Sequence, residues 1–406
     1  MKKTLSLILF LWGIMSCTPD SLKPLPSSND FTGKRVGVEG LGYKRVMIIY
    51  CEGYNNLTDD IELNLKQLDE GYLPAINDRE AILVYAHDAK SKYDWSTPSE
   101  PVIYRIYKHY DEIVRDTIKR FPANELSVCE ERVTEVMSFI KKSFPSQSYG
   151  LVYNSHASGW IPSDYEESSD NTTGWSISPQ WIGAEYEDTY TNDHTLDVEK
   201  FAQAIPIHLD YIIFDCCLMG GVETNYALRD KTSYIVAAPT EVISEGFDYY
   251  NMTKKLLKSE PIDLKGVCED FYNKLASSSY VTIALYDCAY MNELANSCKE
   301  VFAAHPNAAF NVNSNKVQNY NYSFRYHYDF RDIIANMGAS EKELESIDKV
   351  LEKLVLYKNA TPYFIYTPIN PLTYSGLSMY LPNSSWPVLN GFYKETDWNK
   401  ATGLIR

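Results

Sequence analysis

The sequence predicts an α/β fold in which a mostly parallel sheet is flanked by helices. Six short apolar runs alternate with helical segments, and this alternation is typical of β-α-β units. The runs are continuously apolar, which favours strands that are covered on both faces. We predict parallel strands, joined by right-handed crossovers, at 46–50, 81–85, 150–153, 211–214, 234–238 and 281–286.

Helical segments separate these runs. They lie at about 57–70, 130–142, 198–204, 221–228, 251–257 and 264–275. Beyond about residue 306 the pattern changes, and Asn-, Tyr- and Ser-rich sequence precedes a helix near 340–356 and strand-like runs at 362–367 and 376–381. We therefore expect a main α/β unit at 44–305 and an additional C-terminal α/β portion at 306–406 that packs against it.

The N-terminus has the form of an export signal. Two lysines precede an apolar stretch at 5–14, which is too short to cross a membrane comfortably, and Cys17 follows in the context of a bacterial lipobox. We expect cleavage before Cys17 and lipid attachment to it, so that the protein is exported and anchored to the bacterial cell envelope, at the outer membrane or the cell surface. The simpler alternative is ordinary secretion. Residues 18–43 have the composition of a flexible tether.

Charge and cysteine content exclude several classes of protein. The chain of 406 residues has a net charge of −16 and no basic stripe, which argues against a nucleic-acid partner. Of eight cysteines, seven remain if Cys17 carries lipid, so at least one thiol is free in the exported protein. No CxxC pair or regular spacing indicates a zinc site or a disulfide framework.

Two of the apolar runs end in reactive side chains. One reaches Asp215, Cys216 and Cys217, and the other ends at His156. Because side chains alternate along a strand, Cys217 should share its direction with Asp215, while Cys216 points into sheet–helix packing. Ligands bind outside the carboxyl ends of parallel strands, so Cys217 and His156 would meet there if their strands are parallel neighbours.

A thiol and an imidazole in one site are the two parts that a cysteine peptidase needs. The thiolate is the nucleophile, and a helix that starts after Gly220 and Gly221 would favour it. His156 would activate Cys217 or protonate the leaving amine. The alternative is a packed thiol and a structural histidine.

These segments resemble a known family. Ser-His-Ala-Ser-Gly-Trp at 155–160 and Phe-Asp-Cys-Cys-Leu-Met at 214–219 resemble the signatures of the clostripain family of cysteine peptidases, which belongs with the caspases, legumains and gingipains. Weaker similarity at 54–57, 239–250 and 376–382 extends the resemblance over about 44–382. It implies a caspase-like fold, catalysis by Cys217 and His156, a peptide or protein substrate and no required cofactor.

The resemblance also implies roles for neighbouring residues. Asp215 would lie in the pocket for the side chain before the scissile bond and select Arg or Lys, unless it only caps the next helix. Independently of the resemblance, Glu241 and Glu245 are candidates to add negative charge to that pocket. The backbone N–H groups of Ala157 and Cys217 would bind the oxyanion, although Ala157 replaces the usual glycine and resists positive φ.

An acidic insertion at 157–199 separates the two segments and contains no Lys or Arg. Some family members are activated by self-cleavage after a basic residue in this region, so we predict that this chain does not need such cleavage. The insertion has no EF-hand spacing, but its carboxylates are ligands of the kind that calcium prefers, and calcium is associated with some family members. A solvated acidic loop is the alternative.

Two functions follow from the sequence. The first is an exported, lipid-anchored cysteine endopeptidase that cuts after Arg or Lys with a Cys217–His156 dyad and no metal in its site. The second is a catalytically inactive surface protein of the same fold that binds peptide or glycan, which the 33 tyrosines would suit.

Overall fold

The computed structural model describes residues 42–91, 94–163, 165, 182–186, 193–278, 280–321 and 325–406. The predicted signal at 1–17 and the tether as far as residue 41 lie outside this part of the chain. Tyr43 already belongs to the fold, because its buried ring packs against Phe144. Within the described ranges, no helix is long and apolar enough to cross a membrane.

The strands are β1 (Arg45–Gly53), β2 (Glu80–Ser91), β3 (Asp94–Pro98), β4 (Val102–His109), β5 (Glu112–Arg120), β6 (Tyr149–Asn154), β7 (Ile182–Tyr186), β8 (Asp193–Leu196), β9 (Leu209–Asp215), β10 (Thr232–Ala237), β11 (Thr282–Asp287), β12 (Tyr328–Asp329), β13 (Val355–Ala360), β14 (Tyr363–Phe364), β15 (Thr367–Pro368) and β16 (Ser378–Met379). Nine of these strands form one sheet in the order β13-β11-β10-β9-β6-β1-β2-β4-β5. Strand β3 also belongs to this sheet, because it pairs with β2. The central five, β10-β9-β6-β1-β2, are parallel, which confirms the predicted fold class.

The helices are α1 (Thr58–Glu70), α2 (Glu130–Ser143), α3 (Val198–Ala204), α4 (Val222–Leu228), α5 (Tyr249–Leu257), α6 (Leu264–Leu275), α7 (Met291–Ala304), α8 (Phe330–Asn336), α9 (Glu341–Leu354), α10 (Pro387–Glu395) and α11 (Asp397–Thr402). Their apolar sides form two cores, one on each face of the sheet. Helices α1, α5 and α6 cover one face of the sheet, and α2, α7 and α9 lie on the opposite face. Ile213 belongs to the first core, while Phe214 and Cys216 belong to the second, as the alternation along β9 predicts.

The direction predicted for the strand at 281–286 is wrong. β11 runs antiparallel to β10, because two helices, α5 and α6, lie between them and return the chain to the edge that it left. A single crossover helix would have given a parallel strand.

The C-terminal predictions also need correction. The chain at 355–360 leaves helix α9 and forms β13, an edge strand of the main sheet. The run at 362–367 is not one strand, since β14 and β15 form a tight hairpin whose turn includes Ile365 at a φ of 53°. β16 pairs with β12, so the run at 376–381 does contribute a short strand.

Candidate active site

Two neighbouring strands carry the candidate catalytic residues. β6 and β9 are parallel, and Asn154 lies opposite Asp215 in their register. His156 and Cys217 each follow this pair by two residues. Both therefore leave the sheet at the same edge, which is formed by the carboxyl ends of the parallel strands.

The Cys217 thiol contacts the main chain of the loop that follows β10. The Val242 N–H donates to Sγ at 3.3 Å, and the thiol donates to the Val242 carbonyl at 3.6 Å. Burial raises the pKa of Cys217 to about 12, and the nearby carboxylates of Glu241 and Asp215 add to the effect. The thiol is therefore protonated at neutral pH.

This finding corrects the expectation that a helix terminus favours the thiolate. Helix α4 begins at Val222, five residues after Cys217, and the field of a helix terminus falls off within about one turn. Burial of the thiol therefore dominates. Cys216 is only 2% exposed and packs in the core on the opposite face of the sheet.

The His156 ring is oriented by Asn56, which follows β1. Nε2 lies 2.6 Å from the amide oxygen of Asn56, so Nε2–H donates and Nδ1 keeps a lone pair. Burial lowers the pKa of His156 to about 4, which makes the ring neutral at pH 7. Among the described residues no hydrogen bond joins His156 to Cys217. Such contacts are often long without substrate and tighten when it binds.

Asp215 is buried and serves as an acceptor for three groups. Its Oδ2 accepts from the Tyr249 hydroxyl at 2.9 Å, and from the Phe247 N–H and the Asn154 amide at 3.3 Å each. Burial raises the pKa of this carboxyl to about 6. The alternative role as a helix cap is excluded, because the N-cap of α4 is Gly221.

The loop at 239–248 brings further acidic residues to the same edge. Glu241 is half-buried, accepts from the Asn321 amide at 3.2 Å, and has its pKa raised by burial. Glu245 is exposed, and its carbonyl accepts from the Lys274 ammonium at 2.7 Å. The same ammonium also donates to the carbonyls of the next two residues, so it holds the loop in place.

Of the two loops that would form an oxyanion site, the one after Cys217 has an unusual backbone conformation. Ala157 does not adopt a positive φ, so replacement of glycine causes no strain at this position. Instead, Leu218 has a φ of 61°, and its N–H donates to the Thr240 carbonyl at 2.8 Å. Left-handed backbone at a bulky residue is rare and recurs at functional sites, where the surrounding structure enforces it.

Comparison with known proteins identifies the family. The model of the clostripain family matches residues 49–401. The chain belongs to the clostripain family of cysteine peptidases. This match confirms the resemblance that the sequence motifs suggested. No curated protein sequence matches the chain significantly.

Solved structures of other clostripain-family peptidases have the same fold. An inactive zymogen of a C11 protease from Parabacteroides distasonis is 27% identical, with a TM-score of 0.74 over 90% of this chain and 99% of that one. A secreted C11 cysteine protease from Bacteroides thetaiotaomicron, in complex with an irreversible peptide inhibitor, is 20% identical. Its TM-score is 0.72, and the match covers 88% of this chain and 98% of that one. The caspase-like fold predicted from the motifs is therefore confirmed.

A buried polar cluster holds β7, a described part of the acidic insertion, in this clostripain-family peptidase. Glu185, on β7, is fully buried, pairs with Nδ1 of His87, and accepts from the Ser127 N–H at 2.6 Å. The Asn55 amide donates to the main chain of β7 at 2.7 Å. The sequence alone does not predict this cluster. A signal that could have indicated it is the polar residue that ends each of two apolar runs, Glu52 and His87. Glu52 is also buried here, and burial raises its pKa.

The described residues contain no group of three or more His, Cys, Asp or Glu side chains that could hold a metal ion. Most of the acidic insertion, for which the sequence raises calcium binding as an expectation, lies outside those residues at 166–181 and 187–192. Cysteine peptidase chemistry needs only the thiol and an acid–base group, so no cofactor is required.

Replacement of Asn56 tests its effect on His156. We expect Asn56→Ala to lower kcat about 10-fold to 100-fold with little change in KM, because the ring loses the bond that sets its tautomer and orientation. Asn56→Gln, which keeps an amide oxygen, should retain more activity. Steady-state kinetics with one peptide substrate measures both. Equal activity of the wild type and Asn56→Ala would contradict this role.

Proposed function

We propose that this peptidase hydrolyses peptide bonds after Arg or Lys, with Cys217 as nucleophile and His156 as acid and base. The observation that supports the proposal most strongly is the register of β6 and β9, in which Asn154 pairs with Asp215. With this register, two adjacent strand ends present the thiol and the imidazole at one edge of the sheet.

The neutral state of both groups determines how the reaction starts. Sγ of Cys217 attacks the carbonyl carbon of the substrate while the thiol proton passes to Nδ1 of His156. The positive charge on the imidazole and the negative charge on the substrate oxygen therefore form only when substrate is bound. The N–H groups of Ala157 and Cys217 stabilise the resulting oxyanion. His156 then gives the proton to the amine, the C–N bond breaks, and a thioester remains. A water attacks this thioester, and its proton returns through His156 to Sγ.

The substrate pocket is acidic. Asp215 ends the strand that leads to Cys217, and Glu241 and Glu245 lie on the neighbouring loop at the same edge. A guanidinium fits a carboxylate through two parallel hydrogen bonds, and an ammonium fits it as a point charge. The net charge of −16 adds attraction for cationic peptides.

The location of the protein is part of the proposal. Export through the signal at 1–17 and a lipid on Cys17 would anchor the chain to the cell envelope, at the outer membrane or the cell surface. The described chain enters the sheet at the amino end of β1, opposite the edge that carries Cys217. The site would therefore face away from the tether. Incorporation of labelled fatty acid that is lost in Cys17→Ala tests the anchor.

The activity is tested with fluorogenic peptides that end in Arg, Lys, Asp or Ala, with and without calcium. We expect cleavage after Arg or Lys only. Cleavage after Asp or Ala at equal rates would contradict the proposed selectivity. No cleavage of any peptide would contradict catalysis and favour a non-catalytic protein that binds peptide or glycan.

The acidic insertion predicts the form of the active chain. Because residues 157–199 contain no Lys or Arg, we expect activity without cleavage in that segment. N-terminal sequencing and intact mass of the purified, active protein measure this. Two fragments with a new N-terminus between residues 157 and 201 would contradict the prediction.

A further inference from the structure

The C-terminal portion contacts the loop that follows Cys217. The Ser378 N–H donates to the Gly220 carbonyl at 2.9 Å, and Ser378 forms a parallel bridge with Gly221. The Tyr380 N–H donates to the buried Glu223 carboxyl at 2.9 Å. The backbone just after Cys217 is therefore held by residues about 160 positions later in the chain.

The same portion also contacts the loop that follows His156, through the ring of His327. This side chain is 1% exposed, and its backbone is fixed because the Tyr320 N–H donates to its carbonyl at 2.8 Å. The main chain of Ser158 acts on the ring as a hydrogen-bonding partner, which raises the pKa of His327 against the effect of burial, and Nε2 has no partner among the described residues. We therefore assign the hydrogen to Nδ1, which would donate to the Ser158 carbonyl. Burial lowers the pKa of His327 to about 3, so the ring stays neutral.

The two catalytic loops and this ring meet at Gly159. Gly159 has a φ of 81°, and a Cβ there would lie 2.8 Å from the Leu218 carbonyl oxygen and 3.1 Å from Cε1 of His327. A side chain at this position would push apart the loop after His156, the loop after Cys217 and the histidine ring. The contact therefore fixes the spacing between the loops that bear the two oxyanion donors.

We propose that His327 is a positioning residue that holds Ser158 and Gly159, and through them the N–H of Ala157, in the geometry that binds the oxyanion. The inference rests on the proposed function, because it assigns His327 to the transition state of that reaction. His327 does not touch substrate. Its effect should appear in the transition state and not in substrate binding, since the oxyanion forms only during attack.

A matched pair of variants tests the role. His327→Asn keeps an N–H donor near the place of Nδ1, and His327→Leu has similar size without a donor. We expect His327→Leu to lower kcat about tenfold at unchanged KM, which is less than the 10²–10³-fold loss seen when an oxyanion donor itself is removed. His327→Asn should stay within about twofold of the wild type.

Two further measurements separate positioning from general damage. A peptide aldehyde adds the thiol across its carbonyl and places the new oxygen where the oxyanion sits, so its affinity should fall in parallel with kcat. Iodoacetamide alkylates Cys217 by displacing iodide and needs no oxyanion site, so its rate should not change. A variant with altered alkylation and altered KM would contradict the positioning role, as would His327→Leu with wild-type kcat.

A measurement on the wild type tests the role of His327 if His327→Leu does not fold. Nitrogen NMR of the wild type then reports the ring directly, and we expect a neutral Nδ1–H tautomer from pH 5 to pH 8. A charged ring or an Nε2–H tautomer would contradict the bond to Ser158. A wild type that cleaves no peptide contradicts the proposed function and, with it, the role of His327. Cleavage by the wild type together with unchanged His327→Leu contradicts the role of His327 alone.

Discussion

Cys217→Ala should lower kcat/KM by about 10⁴-fold or more, because it removes the nucleophile. The neighbouring thiol provides a matched control. Cys216 is 2% exposed and packs in the core on the other face of the sheet, so Cys216→Ala should keep kcat/KM within about threefold of the wild type. Both variants remove one sulfur atom from adjacent positions, and only one of them lies at the edge with His156.

Steady-state hydrolysis of an Arg peptide measures both variants, with thermal unfolding as the check on folding. Loss of activity in Cys216→Ala with retention in Cys217→Ala would reverse the assignment of the two thiols. Equal loss in both, with normal folding, would contradict the claim that alternation along β9 separates their roles.

Asp215→Asn should lower kcat/KM for Arg peptides by about 10²-fold, because the loss of one partner of a buried charge pair costs about 2–5 kcal/mol. The isosteric amide keeps the size of the side chain. A norleucine peptide, which has similar length and no charge, serves as the matched substrate and should change by less than about threefold. Equal losses for the two peptides would show that Asp215 supports the site without selecting the charge.

The same carboxyl predicts a pH dependence. Burial raises the pKa of Asp215 to about 6, so the carboxylate is lost as the pH falls through that value. The attraction for a cationic side chain disappears with it, and kcat/KM for Arg peptides should fall below about pH 6. The norleucine peptide and Asp215→Asn should lack this acidic limb. An identical limb for the two peptides would assign it to another group.

Local pattern predicts where the reactive residues lie, and it fails where tertiary contacts decide their chemistry. The alternation along β9 correctly separates Cys216 from Asp215 because it depends only on strand geometry. The pKa of Cys217 could not be predicted, since it depends on burial by the loop at 239–248. The partner of His156 is Asn56, 100 residues earlier in the chain, and only the adjacency of β1 and β6 brings them together.

The direction of β11 illustrates the same limit. Its apolar sequence predicts a buried strand, and the strand is present. Its direction depends on how many helices lie between β10 and β11, and the sequence around 239–280 does not show that the chain returns to the same edge.

Covalent labelling of the wild type tests the central claim most directly. A peptide chloromethyl ketone that ends in Arg places its ketone where the scissile carbonyl would lie, and the thiol sulfur then displaces chloride from the adjacent methylene carbon. Fragment masses distinguish Cys216 from Cys217. We predict one label per chain, on Cys217, and much slower labelling of Asp215→Asn. A label on any other cysteine, or no label under conditions in which the protein is folded, would contradict the assignment of Cys217 as a nucleophile in a site that selects Arg.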